Sequence, residues 1–286
     1  MLLLLSCGHL VTDIYQGSLP ALLPLLRTKL GLSYAAAGTV LLASNLTSSV
    51  IQPLFGFFSD RRSKPLLLPL GCLFAALGLS LLALPSRFAG VLCLVVLSGL
   101  GVASYHPEGY RTATGFTGRR AAAGMSIFSV GGNFGFALGP ILCLAVVTRL
   151  GLGALPLMGI PALLFVALVA GAWPRLVGAR TASGGAAESR PPVPRRAWVS
   201  LALLIATVMM RSWTQIGLMT YIPFYYIDYL KGDPLYAGKL VSVLLLGGVV
   251  GTLVGSPLAD RWGHRRYLIL SLVATSLLVP LVLTAR

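Results

Sequence analysis

Long apolar runs separated by short polar segments dominate the chain. Each run approaches or exceeds the roughly 20 mostly apolar residues that a helix needs to cross a bilayer. The runs are too long for strands and lack the alternation of apolar and polar positions that a half-buried strand shows. The pattern predicts an all-α membrane protein with nine spanning helices, near residues 2–26, 34–58, 65–84, 88–112, 122–147, 154–174, 197–226, 236–258 and 266–284.

Composition and charge agree with a membrane protein. Of the 286 residues, 56% are hydrophobic and 10% are charged, whereas soluble domains average about 25% charged residues. The net charge of +15 would suggest nucleic-acid binding in a soluble protein, but the basic residues lie mostly between the apolar runs. If the N-terminus is cytoplasmic, more of the Lys and Arg residues face the cytoplasm. We therefore expect that orientation, a lipid environment and no nucleic-acid partner.

The segment between the sixth and seventh runs divides the chain. It reads "RLVGARTASGGAAESRPPVPRR", which is polar, rich in small residues and ends in a proline cluster. We predict a six-helix N-terminal bundle at 1–174, a cytoplasmic linker at 175–196 and a partial C-terminal bundle of three helices at 197–286. An internal repeat supports two related halves, because "GFFSDRRSK" at 56–64 recurs as "SPLADRWGH" at 256–264.

The first copy of this repeat resembles the loop between helices two and three of the major facilitator superfamily. That loop has the pattern Gly-x-x-x-Asp-Arg-x-x-[Arg/Lys]. In the second copy Ser256 replaces the glycine. The resemblance implies a conformational latch, in which an Asp at a helix end pairs with a basic side chain or a helix N-terminus. The alternative is that these residues are only positive-inside anchors. The latch residues are Gly56, Asp60, Arg61, Lys64, Asp260, Arg261 and Arg265.

Three further segments resemble the fosmidomycin-resistance branch of that superfamily. They are "GHLVTDIYQGSLPALLPLL", "GLGVASYHPEGYR" and "GMSIFSVGGNFGFALGP". The resemblance implies a monomeric transporter of a bacterial inner membrane that exports a small, anionic drug or metabolite in exchange for protons, without a cofactor. Because the superfamily has twelve helices, nine predicted spans suggest truncation after helix nine. A truncated remnant that does not transport is therefore an alternative.

Several ionisable side chains fall inside the predicted spans. A charged side chain at the bilayer centre costs about 2.5–3.5 kcal/mol on insertion scales, so such groups face a bundle interior or a wet cavity. They lie on predicted helices one, four and seven, which line the central cavity in the superfamily. We assign proton coupling to Asp13, Glu108, His9 and His106. The alternative for Asp13 and His9 is a buried hydrogen-bonded pair that only fixes helix packing.

Substrate binding is assigned to polar groups on the same helices and on helix five. Glu108 and Arg111 are three residues apart on a helix, so we expect them to pair until an anion takes Arg111. A purely structural salt bridge is the alternative. A second guanidinium, from Arg211, would clamp the anion, unless it pairs with a carboxylate such as Asp13. The substrate-binding residues are Arg111, Arg211, Gln215, Tyr105, Tyr110 and Asn133.

Helix five carries small residues at spacings of three and four, which allow close helix approach. We predict that they serve helix packing; they are Gly131, Gly132, Gly135, Gly139 and Pro140. His106 and Glu108 form a His-x-Glu pair, but no third ligand is local, so we expect neither a metal site nor an enzyme. The alternative is a metal-dependent membrane enzyme built around His9, Asp13, His106 and Glu108.

Overall fold

The computed structural model describes residues 1–61, 64–118, 121–184, 194–231 and 234–282, and these residues contain helices and no strand. The all-α prediction is confirmed. The α-helices of the described chain are α1 (Leu2–Leu30), α2 (Tyr34–Asn45), α3 (Gln52–Arg61), α4 (Leu67–Ser80), α5 (Phe88–Thr114), α6 (Ala121–Leu150), α7 (Ile160–Gly184), α8 (Arg195–Phe224), α9 (Pro234–Trp262) and α10 (His264–Val282).

The predicted spans recur as helices, with three differences in detail. The second span is α2 and α3 joined by a π-helical turn at Leu46–Val50, and the third is only 14 residues of α-helix. The sixth span begins as a 3₁₀-helix at Leu152–Gly159 before α7. The apolar pattern located the helices, but their internal breaks depend on local backbone hydrogen bonding that this pattern does not encode.

Residues at the helix termini explain why α1 ends and α2 begins where they do. Gly31 adopts a left-handed conformation with φ 62°, and its N–H donates to the carbonyl of Arg27, so α1 stops there. Ser33 then accepts a hydrogen bond from the N–H of Ala36 at 3.1 Å and caps the start of α2.

Within the described residues, six helical segments are long and apolar enough to cross a membrane. Helix α1 is not one of the six, although it is 29 residues long. It carries the polar residues His9, Asp13 and Gln16 among its apolar ones, which lower its mean hydropathy. The six segments are Ala35–Arg61, Phe88–Thr114, Ala121–Leu150, Leu152–Ala179, Arg195–Gln215 and Val243–Trp262.

Two compact units divide the chain by their internal contacts. The first comprises Met1–Ser183 with Val249–Ile269, and the second Gly184–Gly248 with Leu270–Arg286. Helix α7 continues to Gly184, so part of the segment predicted as a linker is helical. Residues 185–193 of that predicted linker lie outside the described residues. The proposed division at 174 and 197 stays a prediction.

Helix α1 forms the centre of the first unit. Its side chains at Leu5, Ile14, Tyr15, Leu22 and Leu26 are almost completely buried. The hydroxyl of Tyr15 accepts a hydrogen bond from the N–H of Ala162 at the start of α7, at 3.1 Å. Between Gly8 and Leu19, α1 has no exposed residue. A polar side chain in this stretch must therefore find its partners inside the protein.

Helices α1 and α6 approach so closely that only glycine fits at the contact. A Cβ atom added at each of three α6 glycines would overlap a backbone carbonyl oxygen of α1. The register advances four residues on both helices at once, so α1 and α6 run in the same direction, as expected for the first and fifth spans. The facing pairs are Gly131 with Ser6, Gly135 with Leu10, and Gly139 with Ile14.

We expect Gly135→Ala to lower the thermal unfolding midpoint, because forcing a methyl group into this contact costs about 1–3 kcal/mol. Gly171→Ala on α7 is the matched control, since a Cβ atom there has nothing within 4 Å. That change should be neutral or stabilising, by up to about 1 kcal/mol. The measurement is thermal unfolding in detergent, and equal midpoints for the two variants would contradict the contact.

Candidate functional site

A buried carboxylate and two imidazoles from different helices meet in the first unit. Asp13 of α1 lies one turn beyond His9, and His9 Nε2 is 3.4 Å from Asp13 Oδ2. His106 of α5 approaches from the other side, with its Nε2 3.0 Å from Asp13 Oδ1. His9 is 5% exposed and Asp13 9%. We call these three residues the His–Asp cluster.

The cluster is held in place by helix α6. Gly132 lies directly against His9 and Asp13, and a Cβ atom there would meet the His9 ring and a carboxylate oxygen. The Phe128 ring stacks on the His9 ring with centroids 4.4 Å apart and an interplanar angle of 24°. The absence of a side chain at Gly132 therefore leaves the space that the His–Asp cluster occupies.

The Nδ1 atoms of the two imidazoles, which face away from Asp13, also have polar contacts. His9 Nδ1 is 2.9 Å from the backbone carbonyl oxygen of Phe128. His106 Nδ1 is 3.4 Å from Nε2 of Gln52, and the same Nε2 donates to the carbonyl of Ser48 at 2.6 Å. The sequence gives a weak signal for Gln52, a polar amide inside an apolar run, and none for a backbone carbonyl such as that of Phe128.

Glu108 does not join the cluster, although it was grouped with His9, Asp13 and His106 for proton coupling. It is completely buried on α5. Residues two apart on a helix project in nearly opposite directions, so His106 and Glu108 cannot both face Asp13.

Arg111 contacts α3 and is not paired with Glu108 among the described ion pairs. Its Nε is 3.5 Å from Asp60 Oδ1, and its Nη1 donates to the backbone carbonyl of Ser59. The Glu108–Arg111 pair expected from the sequence is not among these contacts, and its role in coupling stays a prediction. In this conformation the exposed end of α3 offers Arg111 both a carboxylate and a backbone carbonyl.

The remaining substrate-binding candidates have different surroundings. Tyr105 is fully buried, and its hydroxyl donates to the carbonyl of Leu5 at 2.9 Å. Tyr110 is 43% exposed, and its ring centroid lies 5.9 Å from that of His9, with the two rings edge to face. Asn133 on α6 is exposed. In the second unit, Arg211 Nη1 donates to Gln215 Oε1 at 3.4 Å. Their assignment to substrate binding stays a prediction.

The two aspartates of the repeat make different contacts. Asp60 lies beside the Arg111 guanidinium. Asp260 Oδ2 accepts a hydrogen bond from the N–H of Ala123, in the first turn of α6, at 3.0 Å. These are the two kinds of partner that the latch hypothesis names, a basic side chain and a helix N-terminus. Arg61 lies over the ring of Phe57, at 3.3 Å from its centroid; Lys64, Arg261 and Arg265 are exposed and Gly56 is half-buried.

The His–Asp cluster has a spacing that a metal ion could bridge. One donor atom from each of His9, Asp13 and His106 lies within 4.8 Å of the other two. The sequence offered His106 and Glu108 as a pair without a local third group, whereas the fold brings His9 and Asp13 to His106. The metal-dependent alternative therefore centres on this cluster and does not involve Glu108.

Comparison with known proteins places the chain in a family. The model of the Major Facilitator Superfamily matches residues 5–285. The "Uncharacterized MFS-type transporter YfnC" of Bacillus subtilis (strain 168) is 31% identical over 282 residues, 96% of this chain and 69% of the relative. The "Fosmidomycin resistance protein" of Escherichia coli (strain K12) is 31% identical over 268 residues, 93% of this chain and 66% of the relative.

This chain thus spans about two thirds of the length of these two relatives. The family match extends over nearly all of its residues. With its apolar helices and its buried polar cluster, the chain belongs to the Major Facilitator Superfamily of membrane transporters.

Proposed function

We propose that this chain is a secondary active transporter that exports a small, anionic drug or metabolite in exchange for protons by alternating access. In this proposal it works as a monomer in a bacterial inner membrane, with a cytoplasmic N-terminus. The observation that carries the proposal is the buried Asp13 carboxylate, approached by His9 from its own helix and by His106 from α5.

Proton binding is the chemistry that this arrangement supports best. An ionised carboxylate inside hydrocarbon is costly, and such groups commonly mark proton pathways in pumps and transporters. A proton on Asp13 or His9 changes the charge of the cluster without moving any heavy atom into it. Two imidazoles beside one carboxylate can therefore hold a proton at the cluster and release it.

An anionic substrate is favoured by the name of one relative and by the basic residues of this chain. The Escherichia coli relative is called a fosmidomycin resistance protein, and fosmidomycin is an anionic phosphonate. Arg111 and Arg211 each present a guanidinium that can bind such a group in a bidentate manner. In the proposal, the anion takes Arg111 from Asp60, which links substrate binding to the contact between α5 and α3.

The repeat aspartates act in this proposal as conformational latches. Asp60 pairs with Arg111 and Asp260 accepts from Ala123, and both contacts lie at exposed helix ends. An exposed ion pair such as that of Asp60 is typically worth less than about 1 kcal/mol, and a helix cap such as that of Asp260 about 0.5–2 kcal/mol. They are therefore weak enough to break and re-form during a transport cycle.

We expect proteoliposomes that contain this chain to export an anionic substrate when a pH gradient is imposed, and Asp13→Asn to abolish that export. Asparagine preserves the shape of the side chain but cannot exchange a proton. Expression and the thermal unfolding midpoint should stay close to those of the unchanged protein. The matched control is Glu188→Gln, a carboxylate in the predicted linker, which should export normally.

Three outcomes of this assay would oppose the proposal. Normal pH-driven export by Asp13→Asn would show that the cluster takes no part in proton coupling. No export by the unchanged chain would favour the non-transporting remnant. Export that is lost after chelation and restored by a divalent metal would favour the metal-dependent alternative.

Arg111→Ala should weaken binding of anionic substrates more than binding of neutral ones, because a lost guanidinium affects only charged partners in this way. A loss of about tenfold or more for a phosphonate corresponds to about 1.4 kcal/mol. The measurement is substrate-induced quenching of tryptophan fluorescence with a matched anionic and neutral pair. Equal losses for both compounds would show that Arg111 serves only to hold α5 to α3.

Removal of the Asp260 carboxylate should expose the first turn of α6. In Asp260→Ala the N–H of Ala123 loses its acceptor, and loss of such a cap typically costs about 0.5–2 kcal/mol. Hydrogen–deuterium exchange should therefore accelerate at Ala123 and its neighbours. Asp60→Ala is the control, because its partner is on α5, and it should leave exchange at Ala123 unchanged; acceleration in both variants would indicate general loosening.

A further inference from the structure

We propose that the exchangeable proton of the His–Asp cluster lies between His9 Nε2 and Asp13 Oδ2, and that Gln52 is a positioning residue which keeps His106 a permanent donor to Asp13. The functional meaning of this assignment rests on the proposed proton-coupled export. The assignment itself follows from which atoms around the cluster can only accept a hydrogen bond.

The first step concerns His9. Its Nδ1 lies 2.9 Å from the backbone carbonyl oxygen of Phe128. A carbonyl oxygen has no hydrogen, so Nδ1 must carry the proton and donate it. In the neutral ring the other nitrogen, Nε2, then has a lone pair and no hydrogen. This lone pair faces Asp13 Oδ2 at 3.4 Å.

The contact between His9 and Asp13 therefore needs a further proton. Without it, two acceptors face each other in a buried site, and neither is satisfied by the other. With it, the pair is either an imidazolium donating to a carboxylate or a carboxylic acid donating to a neutral imidazole. Both forms contain the same number of protons, and both make one hydrogen bond along this contact.

The second step concerns His106 and depends on Gln52. Gln52 Nε2 lies 2.6 Å from the carbonyl oxygen of Ser48, which can only accept, so this end of the side-chain amide is the NH₂ group. The same group lies 3.4 Å from His106 Nδ1. His106 Nδ1 is thus the acceptor, and the hydrogen of the neutral ring is on Nε2, from which it is donated to Asp13 Oδ1 at 3.0 Å.

The two histidines consequently have different tasks. His106 donates to Asp13 whether or not the cluster holds its extra proton. His9 has a donor only when that proton is present. On release, the proton leaves the His9–Asp13 contact for water, and no other bond changes. Two acceptors then face each other, so the unloaded pair must turn apart or admit a water molecule between them.

Few other titratable groups face the cluster among the described residues. Helix α5 adds the phenols Tyr105 and Tyr110, whose ring centroids lie 6.3 and 5.9 Å from that of His9. The Tyr105 hydroxyl is already donated to Leu5. The α6 neighbours, Phe128 and Gly132, carry no titratable side chain, and α3 contributes the neutral Gln52.

Nitrogen-15 solid-state NMR of the histidine-labelled full chain in lipid bilayers tests this assignment directly. The chain has only three histidines, and His264→Gln identifies the third ring. At a pH where the cluster is unloaded, we expect His9 as the Nδ1–H tautomer and His106 as the Nε2–H tautomer. Addition of the proton to the cluster should shift the His9 Nε2 resonance, while His106 stays the Nε2–H tautomer. A shift of the His106 resonances in place of that of His9, or His106 as the Nδ1–H tautomer, would overturn the proposal.

Gln52 is tested by a variant that reverses its hydrogen bonding. In Gln52→Glu a carboxylate replaces the donor, so His106 faces an acceptor at each nitrogen and should carry a hydrogen on both, as an imidazolium. In Gln52→Leu, Nδ1 loses its hydrogen bond, so its nitrogen resonance should shift while the ring stays the Nε2–H tautomer. Retention of the neutral Nε2–H ring in Gln52→Glu would remove the positioning role. If that variant does not fold, an unchanged His106 Nδ1 resonance in Gln52→Leu would remove it.

The spectra separate this inference from the proposed function. Expected tautomers without pH-driven export would leave the proton position intact and reject coupled transport. Export that depends on Asp13, with a titrating His106 and an inert His9, would reject only the present inference.

Discussion

The requirement that a carboxylate inside an apolar bundle be surrounded by donors governs the arrangement of this protein. Asp13 lies in the part of α1, from Gly8 to Leu19, that has no exposed residue. It cannot face lipid there, so its partners must come from side chains inside the bundle. His9 supplies one from α1 and His106 supplies the other from α5. The position of α5 relative to α1 is thus tied to the chemistry of a single side chain.

The glycines of α6 make the same cluster possible in a different way. Because α6 has no side chain at Gly131, Gly135 and Gly139, its backbone reaches that of α1. The close approach brings the Phe128 carbonyl within hydrogen-bonding distance of His9 and leaves space for the cluster at Gly132. Packing and protonation are therefore connected, since a larger residue on this face of α6 would disturb the tautomer of His9 as well as the stability of the bundle.

The contacts of the two repeat aspartates at the helix ends differ from the cluster because they are exposed to solvent. Asp60 and Asp260 lie in exposed positions, where water lowers the value of each contact to a small fraction of the total stability. One aspartate faces the Arg111 side chain and the other a backbone N–H of α6. The contacts at the helix ends are exposed to solvent, whereas the His–Asp cluster is largely buried, so the loss of a partner costs less at the helix ends than in the cluster.

The sequence alone determined the helices, their order and the helix-one and helix-four faces that carry polar groups, because each depends on composition and spacing within one segment. It also determined that α6 would pack closely, from the spacing of its glycines. It did not determine that Arg111 would turn to Asp60 and away from Glu108, or that Gln52 and the Phe128 carbonyl would contact the two imidazoles. Those choices depend on the rotation and register of one helix against another, which are set by packing over many residues and are not encoded in any one segment.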